Sequence, residues 1–175
     1  MKNPRDTTSS PRAGKVIDSP VGSLFLTATD DGLTHVTFAE SSGDGPRGVP
    51  GTGEATRVLR ETERQLGQYF AGRRRKFDLP LAPAGTEFQL ATWTELTRIP
   101  YGETISYGEL ARRIGRPRAV RAVGAANGAN PISVIVPCHR VIGADGTLVG
   151  YGGGLAIKRH LLSLEGHAID GELFA

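Results

Sequence analysis

The stretch that most constrains the fold is residues 132–142, Ile-Ser-Val-Ile-Val-Pro-Cys-His-Arg-Val-Ile. Its first five positions are nearly all apolar and β-branched, a composition that reads as a strand covered on both faces, so the rest of the chain has to supply cover on two sides. Pro137 cannot donate to a ladder and closes that strand, which leaves Cys138 where the strand gives way to a turn. Cys138 is the chain's single cysteine. It excludes an internal disulfide and a multi-cysteine zinc site, and fits the reducing conditions of a cytoplasmic protein. Cohesion then rests on the 38% of the 175 residues that are hydrophobic, enough for a core without staples. A free thiol titrates near ~8.5, so reaction at neutral pH needs a cation or proton acceptor close by. His139 and Arg140 are the adjacent candidates. A lone cysteine is also commonly a small buried hydrophobe, and on these residues alone both readings stand.

Residues 1–14 are rich in Pro, Ser, Thr and Arg and read as a disordered leader. Val16-Ile17, then residues 24–29, then residues 33–38, with Asp31-Gly32 as a tight turn between the last two runs, predict an antiparallel sheet. Residues 41–53 are crowded with Gly and Pro and read as a loop, after which residues 54–70 place Leu59, Leu66 and Phe70 at helical spacing before Gly72. The basic run Arg73-Arg74-Arg75-Lys76 reads as a solvated face, and residues 77–85 as an extended linker. Thr86 and Gln89 form a capping box for a helix carrying Phe88, Trp93, Leu96 and Ile99, which Pro100 stops. Ser106 with Glu109 predicts a second box. That short helix buries Leu110 and Ile114 and ends at Gly115; Arg116-Pro117 then turns into a third helix, terminated by Asn130-Pro131. Two short helices joined by a glycine-containing turn predict a helix-turn-helix. A last helix over residues 155–165 buries Ile157, Leu161 and Leu164 and carries Lys158 and Glu165.

The expected fold class is therefore α+β: a small N-terminal antiparallel sheet plus helix (residues 15–80) packed on a mostly helical C-terminal domain (residues 86–175) that holds the helix-turn-helix. No apolar run is long enough to span a bilayer, so no membrane partner is expected. The net charge of +3 is a mild bias toward polyanions, and its distribution says more. Arg118, Arg121 and Ala125 fall at i, i+3 and i+7 on one face of the third helix, with Ala122, Ala126 and Gly128 beside them and Val120 and Val123 turned to a core. A major-groove reader needs several forked or amide side chains, and beyond Arg121 and Asn127 this helix offers few. Small residues suit either close approach to a narrow groove or packing against another helix; composition leaves both open.

Pro137-Cys138-His139-Arg140 with Val141 after it, Asn130-Pro131 before it, Val149-Gly150-Tyr151-Gly152-Gly153-Gly154 downstream and Leu161-Leu162-Ser163-Leu164-Glu165-Gly166 near the end resemble the DNA O6-alkylguanine alkyltransferases. The resemblance runs from about Thr86 to Gly166. It implies that Cys138 takes an alkyl group from O6 of guanine once and irreversibly. His139 and Glu165 would complete a Cys, water, His, Glu relay, and Tyr107 would crowd a phosphate and reach the guanine. It implies a helix-turn-helix in the minor groove of double-stranded DNA with little sequence preference. Arg121 would fill the stack left by a flipped nucleotide, and Ala122, Ala125, Ala126, Asn127 and Arg118 would lie along the DNA. Asn130 would hold the turn before the active-site segment, and the carbonyls of Cys138 and Val141 would accept from the guanine amino group. Tyr151 would line the alkyl pocket, the Gly152 amide would face O6, and Val149, Gly153 and Lys158 complete the expected pocket. No metal or organic cofactor is implied, a monomer in solution is expected, and O4-alkylthymine is a further candidate substrate. A sequence-specific helix-turn-helix protein without alkyl transfer and a Cys-His hydrolase are the alternatives.

Overall fold

In the computed structural model, which describes residues 12–39, 50–51 and 53–168, the sheet follows from alternation. β2 (Leu24–Thr29) turns Leu24, Leu26 and Ala28 fully inward while the residues between them stay half-exposed. It pairs antiparallel with β1 (Ala13–Ile17) on one side and β3 (Gly32–Phe38) on the other. Thr29 faces Gly32 across the β2–β3 hairpin, so the loop is Asp30-Asp31, one residue earlier than expected, and Gly32 opens β3 at φ 145°. β1 also starts before Lys15: Ala13 and Gly14 are already paired with Ala28 and Thr27. The rest of the expected leader, residues 1–11, lies outside the described residues, as does most of the loop expected at 41–53. α1 (Glu54–Phe70) lies across the sheet and buries Ala55, Val58, Leu59 and Leu66 on its inner face, each large side chain contributing roughly 1.5–3 kcal/mol, while Tyr69 at its end is buried beside Phe77 and Tyr101.

The C-terminal half begins where Thr86 caps α2 (Glu87–Leu96) with the full reciprocal box. Ser106 makes only half of one: its hydroxyl accepts from Glu109 N at 3.1 Å, but the Glu109 carboxylate is drawn away by Arg112 and Arg113. α3 (Tyr107–Arg113) and α4 (Val120–Gly128) form the helix-turn-helix, and α2 packs on α4 with Trp93 Nε1 donating to Ala126 O at 2.8 Å. α5 (Leu155–Leu164) closes the half, and a short parallel pair, β4 (Ile105–Ser106) with β5 (Val141–Ile142), joins the start of α3 to the segment after Cys138.

Residues 132–136 are not a strand. They are buried as expected, but the chain doubles back through two tight turns. Ile135 N bonds Ser133 O at 2.8 Å around Val134, whose φ of 71° makes this a γ-turn, and Cys138 N bonds Val136 O at 2.8 Å around Pro137 at φ −82°, ψ 62°, an inverse γ-turn. A β-branched residue at positive φ is strained and persists only where its surroundings over-determine it. Asn130 supplies much of that: its amide donates to Val136 O at 2.8 Å and its oxygen accepts from Ile132 N at 3.0 Å. β3 supplies the rest, Val36 N bonding Pro131 O at 2.9 Å and Ser133 N bonding Val36 O at 3.0 Å. An apolar β-branched run reports burial, and the period alone could not say which backbone satisfies it. β3 is equally the anchor of the linker, through Leu33 N to Pro80 O and Ala82 N to Leu33 O, both 2.8 Å. One hydrophobic cluster consequently runs through both halves, from Leu26 and Leu66 to Trp93, Ile132 and Leu161.

Candidate active site

The turn around Pro137 delivers the chain into a single 3-10 turn, Cys138–Arg140, in which three successive side chains leave in different directions. Cys138 faces a cavity of about 480 Å³ lined also by Tyr107, Arg121, Asn127, Val149 and Tyr151. His139 and Arg140 converge on Glu165 instead. Glu165 is the C-terminal cap of α5, where Gly166 at φ 80° ends the helix, and it is buried rather than on the surface. His139 Nε2 lies 2.8 Å from Glu165 Oε1, Arg140 donates from Nε to Oε2 at 2.8 Å and from Nη2 to Oε1 at 2.9 Å, and Tyr69 donates its hydroxyl to Oε1 at 2.7 Å. Arg140, a candidate cation for the thiol, is thus committed to the carboxylate and, through Nη1, to Ile99 O at 2.6 Å.

The charges settle into a definite pattern. Burial would raise the Glu165 carboxyl, but hydrogen bonds from His139 and Arg140 hold it well below the usual carboxylate range. An ionised carboxylate only accepts, so His139 Nε2 carries the proton toward it and Nδ1 is left as the basic nitrogen. Burial pushes His139 down despite the pull of Glu165, keeping the ring neutral. Nδ1 is buried and finds no protein partner among the described residues. Burial pushes the Cys138 thiol up, opposed by a hydrogen bond from Asn130 and the charge of Lys158, so the resting group is a thiol that needs a base.

Lys158 is fully buried and donates to three carbonyls, Val141 at 2.7 Å, Val149 at 3.0 Å and Gly150 at 3.2 Å, tying the glycine loop to β5. Burial pulls its ammonium down to about 8. The Tyr107 hydroxyl donates to Val149 O at 2.9 Å, bridging the cavity mouth. The Tyr151 hydroxyl and the Asn127 side-chain oxygen are, like His139 Nδ1, buried without a protein partner among the described residues. Asn127 and Tyr151 both line the cavity, and two such atoms on one wall are what a polar ligand or ordered water would satisfy. Gly153 serves packing: a Cβ there would meet the Phe38 ring at 2.8 Å, whereas Gly152 has open space in front of it.

The expected DNA face needs correction. Arg121, Ala122 and Ala125 are exposed on α4, but Ala126 and Asn127 are buried, Ala126 under Trp93 and Asn127 in the cavity with its amide 3.4 Å from Cys138 O. Arg118 is exposed in the turn before α4, because the helix starts only at Val120. Val120, expected in the core with Val123, is 39% exposed on the cavity rim. Two contributors were not foreseen. Tyr69 reaches Glu165 from α1, and in sequence it is one more aromatic on the apolar face of that helix; Phe38 backs Tyr151 edge-on, with ring centroids 5.8 Å apart.

Comparison with known proteins gives two family matches: residues 87–167 match the 6-O-methylguanine DNA methyltransferase, DNA binding domain, and residues 14–83 the 6-O-methylguanine DNA methyltransferase, ribonuclease-like domain. A methylated-DNA–protein-cysteine methyltransferase of Methanosarcina acetivorans is 52% identical over 152 residues, covering 86% of this chain and 96% of its own. The protein of the same name from Mycolicibacterium paratuberculosis is 50% identical over 151 residues, covering 86% and 90%. The crystal structure of Mycobacterium tuberculosis OGT in complex with DNA superposes with a TM-score of 0.75 at 49% identity, covering 86% of this chain and 90% of that one.

Proposed function

The chain belongs to the 6-O-methylguanine DNA methyltransferase family, and from that premise we propose that it is a DNA-repair methyltransferase that moves the alkyl group of O6-alkylguanine in duplex DNA onto Cys138, once per molecule. The observation that carries the reading is the placement of the chain's only thiol on the wall of a cavity beneath α4, backed by a neutral His139 whose partner is an ionised Glu165. The Cys138 proton passes to His139 Nδ1 through a bridging water. The thiolate attacks the alkyl carbon, the carbon–O6 bond breaks with its electron pair going to the base, and the guanine regains a proton, with Tyr107 positioned to assist. The resulting thioether has no route back. The displacement balances without any cofactor.

Guanine O6 inside a stacked duplex cannot reach a buried thiol, so the nucleotide is extruded at a cost of about a few kcal/mol, offset by Arg121 entering the stack. Arg121 is exposed on the cavity rim where that insertion would begin, with Ala122 and Ala125 small enough to let the α4 backbone approach a minor groove. Val141 O, already accepting from Lys158, retains a second lone pair for the guanine amino group. Little sequence preference, a monomer in solution, two domains at residues 15–80 and 86–175, and a cytoplasmic location complete the reading.

Titrating the protein against duplex DNA with a labelled O6-methylguanine tests it. One label transferred per chain with no further turnover is expected. Continued turnover on esters or peptides would indicate a hydrolase, and tight binding to one undamaged sequence without transfer a regulator.

A further inference from the structure

Glu165 Oε1 is shared by three donors, two of them the neighbours His139 and Arg140 of the turn after Pro137 and the third from the N-terminal half. The Tyr69 hydroxyl, fully buried and 96 positions away in sequence, donates to it at 2.7 Å. Its ring cannot easily turn away: it is wedged edge-on against Phe70 and Tyr101, with centroids at 5.3 Å and 6.2 Å, and tilted on Phe77 at 5.4 Å. His139 Nε2 uses the same oxygen at 2.8 Å. A neutral donor on Oε1 draws charge from the atom that faces the imidazole, and so sets how strongly the carboxylate favours the protonated ring.

We propose that Tyr69 is a positioning residue of the thiol-activating relay, through which the N-terminal half fixes the Glu165 carboxylate and limits the basicity of His139. The proposal rests on the reading of Cys138, His139 and Glu165 as that relay. The hydroxyl itself stays protonated: burial first, then the Glu165 charge, raises it well above its ordinary value. The other charged and titratable groups around the pair are Arg140 on both carboxylate oxygens, Lys158 from α5, Tyr101 from the loop after α2, Tyr151 from the glycine loop and the Cys138 thiol. None of these is altered by removing one hydroxyl from Tyr69.

The test is the pH profile of Cys138 alkylation by iodoacetamide in the full chain. In Tyr69→Phe the midpoint should move to lower pH by about half a unit, roughly a threefold faster reaction on the acidic limb, because the unshared Oε1 charge favours the imidazolium that stabilises the thiolate. In a Glu165→Gln background the same substitution should shift nothing. Tyr101→Phe, which removes a hydroxyl bonded to Leu164 O at 3.1 Å in the same aromatic group, is the control and should keep the wild-type midpoint. 3-Fluorotyrosine at position 69, a stronger donor, should move the midpoint the opposite way, and keeps the test available if Tyr69→Phe folds poorly. An unchanged midpoint in both Tyr69 variants, or an equal shift with and without Glu165, would overturn the proposal. Iodoacetamide needs no DNA, so wild-type transfer from O6-benzylguanine, measured alongside, reports separately on the proposed function.

Discussion

Arg121 is the residue that separates base extrusion from ordinary phosphate binding. If it contacted phosphate alone, Arg121→Ala would weaken binding to modified and unmodified duplexes alike and lower the salt slope by about one unit. Its place on the rim of the Cys138 cavity leads to a different expectation. Arg121→Ala should slow alkyl transfer from duplex DNA far more than from the free base O6-benzylguanine, which needs no extrusion, and Arg121→Lys should rescue little because it lacks a planar group to stack. Comparing the two transfer rates in each variant checks this, and equal losses on both substrates would contradict it. At the same scale, the His139–Glu165 pair was legible in the sequence only through the motif, since a glutamate at a helix end ordinarily faces water. Tyr69 was not legible at all. Its ring fits the apolar face of α1 and nothing local reports a hydroxyl partner 96 residues away.

Among the elements, the turn over residues 130–138 aims the thiol, and Asn130 together with β3 holds it. Asn130→Ala would remove the bonds to Val136 O and Ile132 N while Val134 remains at φ 71°, so a loss of about 1–3 kcal/mol is expected, together with slower alkyl transfer as the turn that presents Cys138 loosens. Urea unfolding and the transfer rate of the same variant check both parts; a stability within about 0.5 kcal/mol of wild type would contradict them. This turn is also where the sequence misled, because burial on both sides was correctly inferred and then equated with a strand. The sheet and helices were legible for a local reason: alternation in residues 24–38 and caps at Thr86 and Ser106 act within a few positions. On α4 the inner face was available from Val123, whose helical neighbours are Ala126 and Asn127, but small and polar side chains there resembled an outer face.

For the molecule as a whole, the shared core and the buried His139–Glu165–Arg140 group tie stability to pH. Both titratable partners have folded-state values below their ordinary ones, 6.5 for His139 and 4.5 for Glu165, so the unfolded chain binds more protons on acidification. Each contributes stability that is full above its ordinary value and is lost as pH falls toward its folded value. Unfolding free energy should therefore decline below pH 6.5 from His139 and more steeply below 4.5 from Glu165. Glu165→Gln should be less stable by about 3–5 kcal/mol near neutrality, with Arg140 left unpaired, and should show a shallower acid limb. Denaturant unfolding over a pH series checks this, and parallel curves for the two proteins would contradict it. The proposed role of Cys138, one alkyl group accepted per chain, has one decisive measurement. Intact mass and peptide mapping after incubation with O6-methylguanine duplex DNA should find one added methyl group per chain, on the peptide containing Cys138, and none in Cys138→Ser, which should still bind DNA. A methyl group mapped to any other residue, or an unmodified chain beside demethylated DNA, would contradict the account.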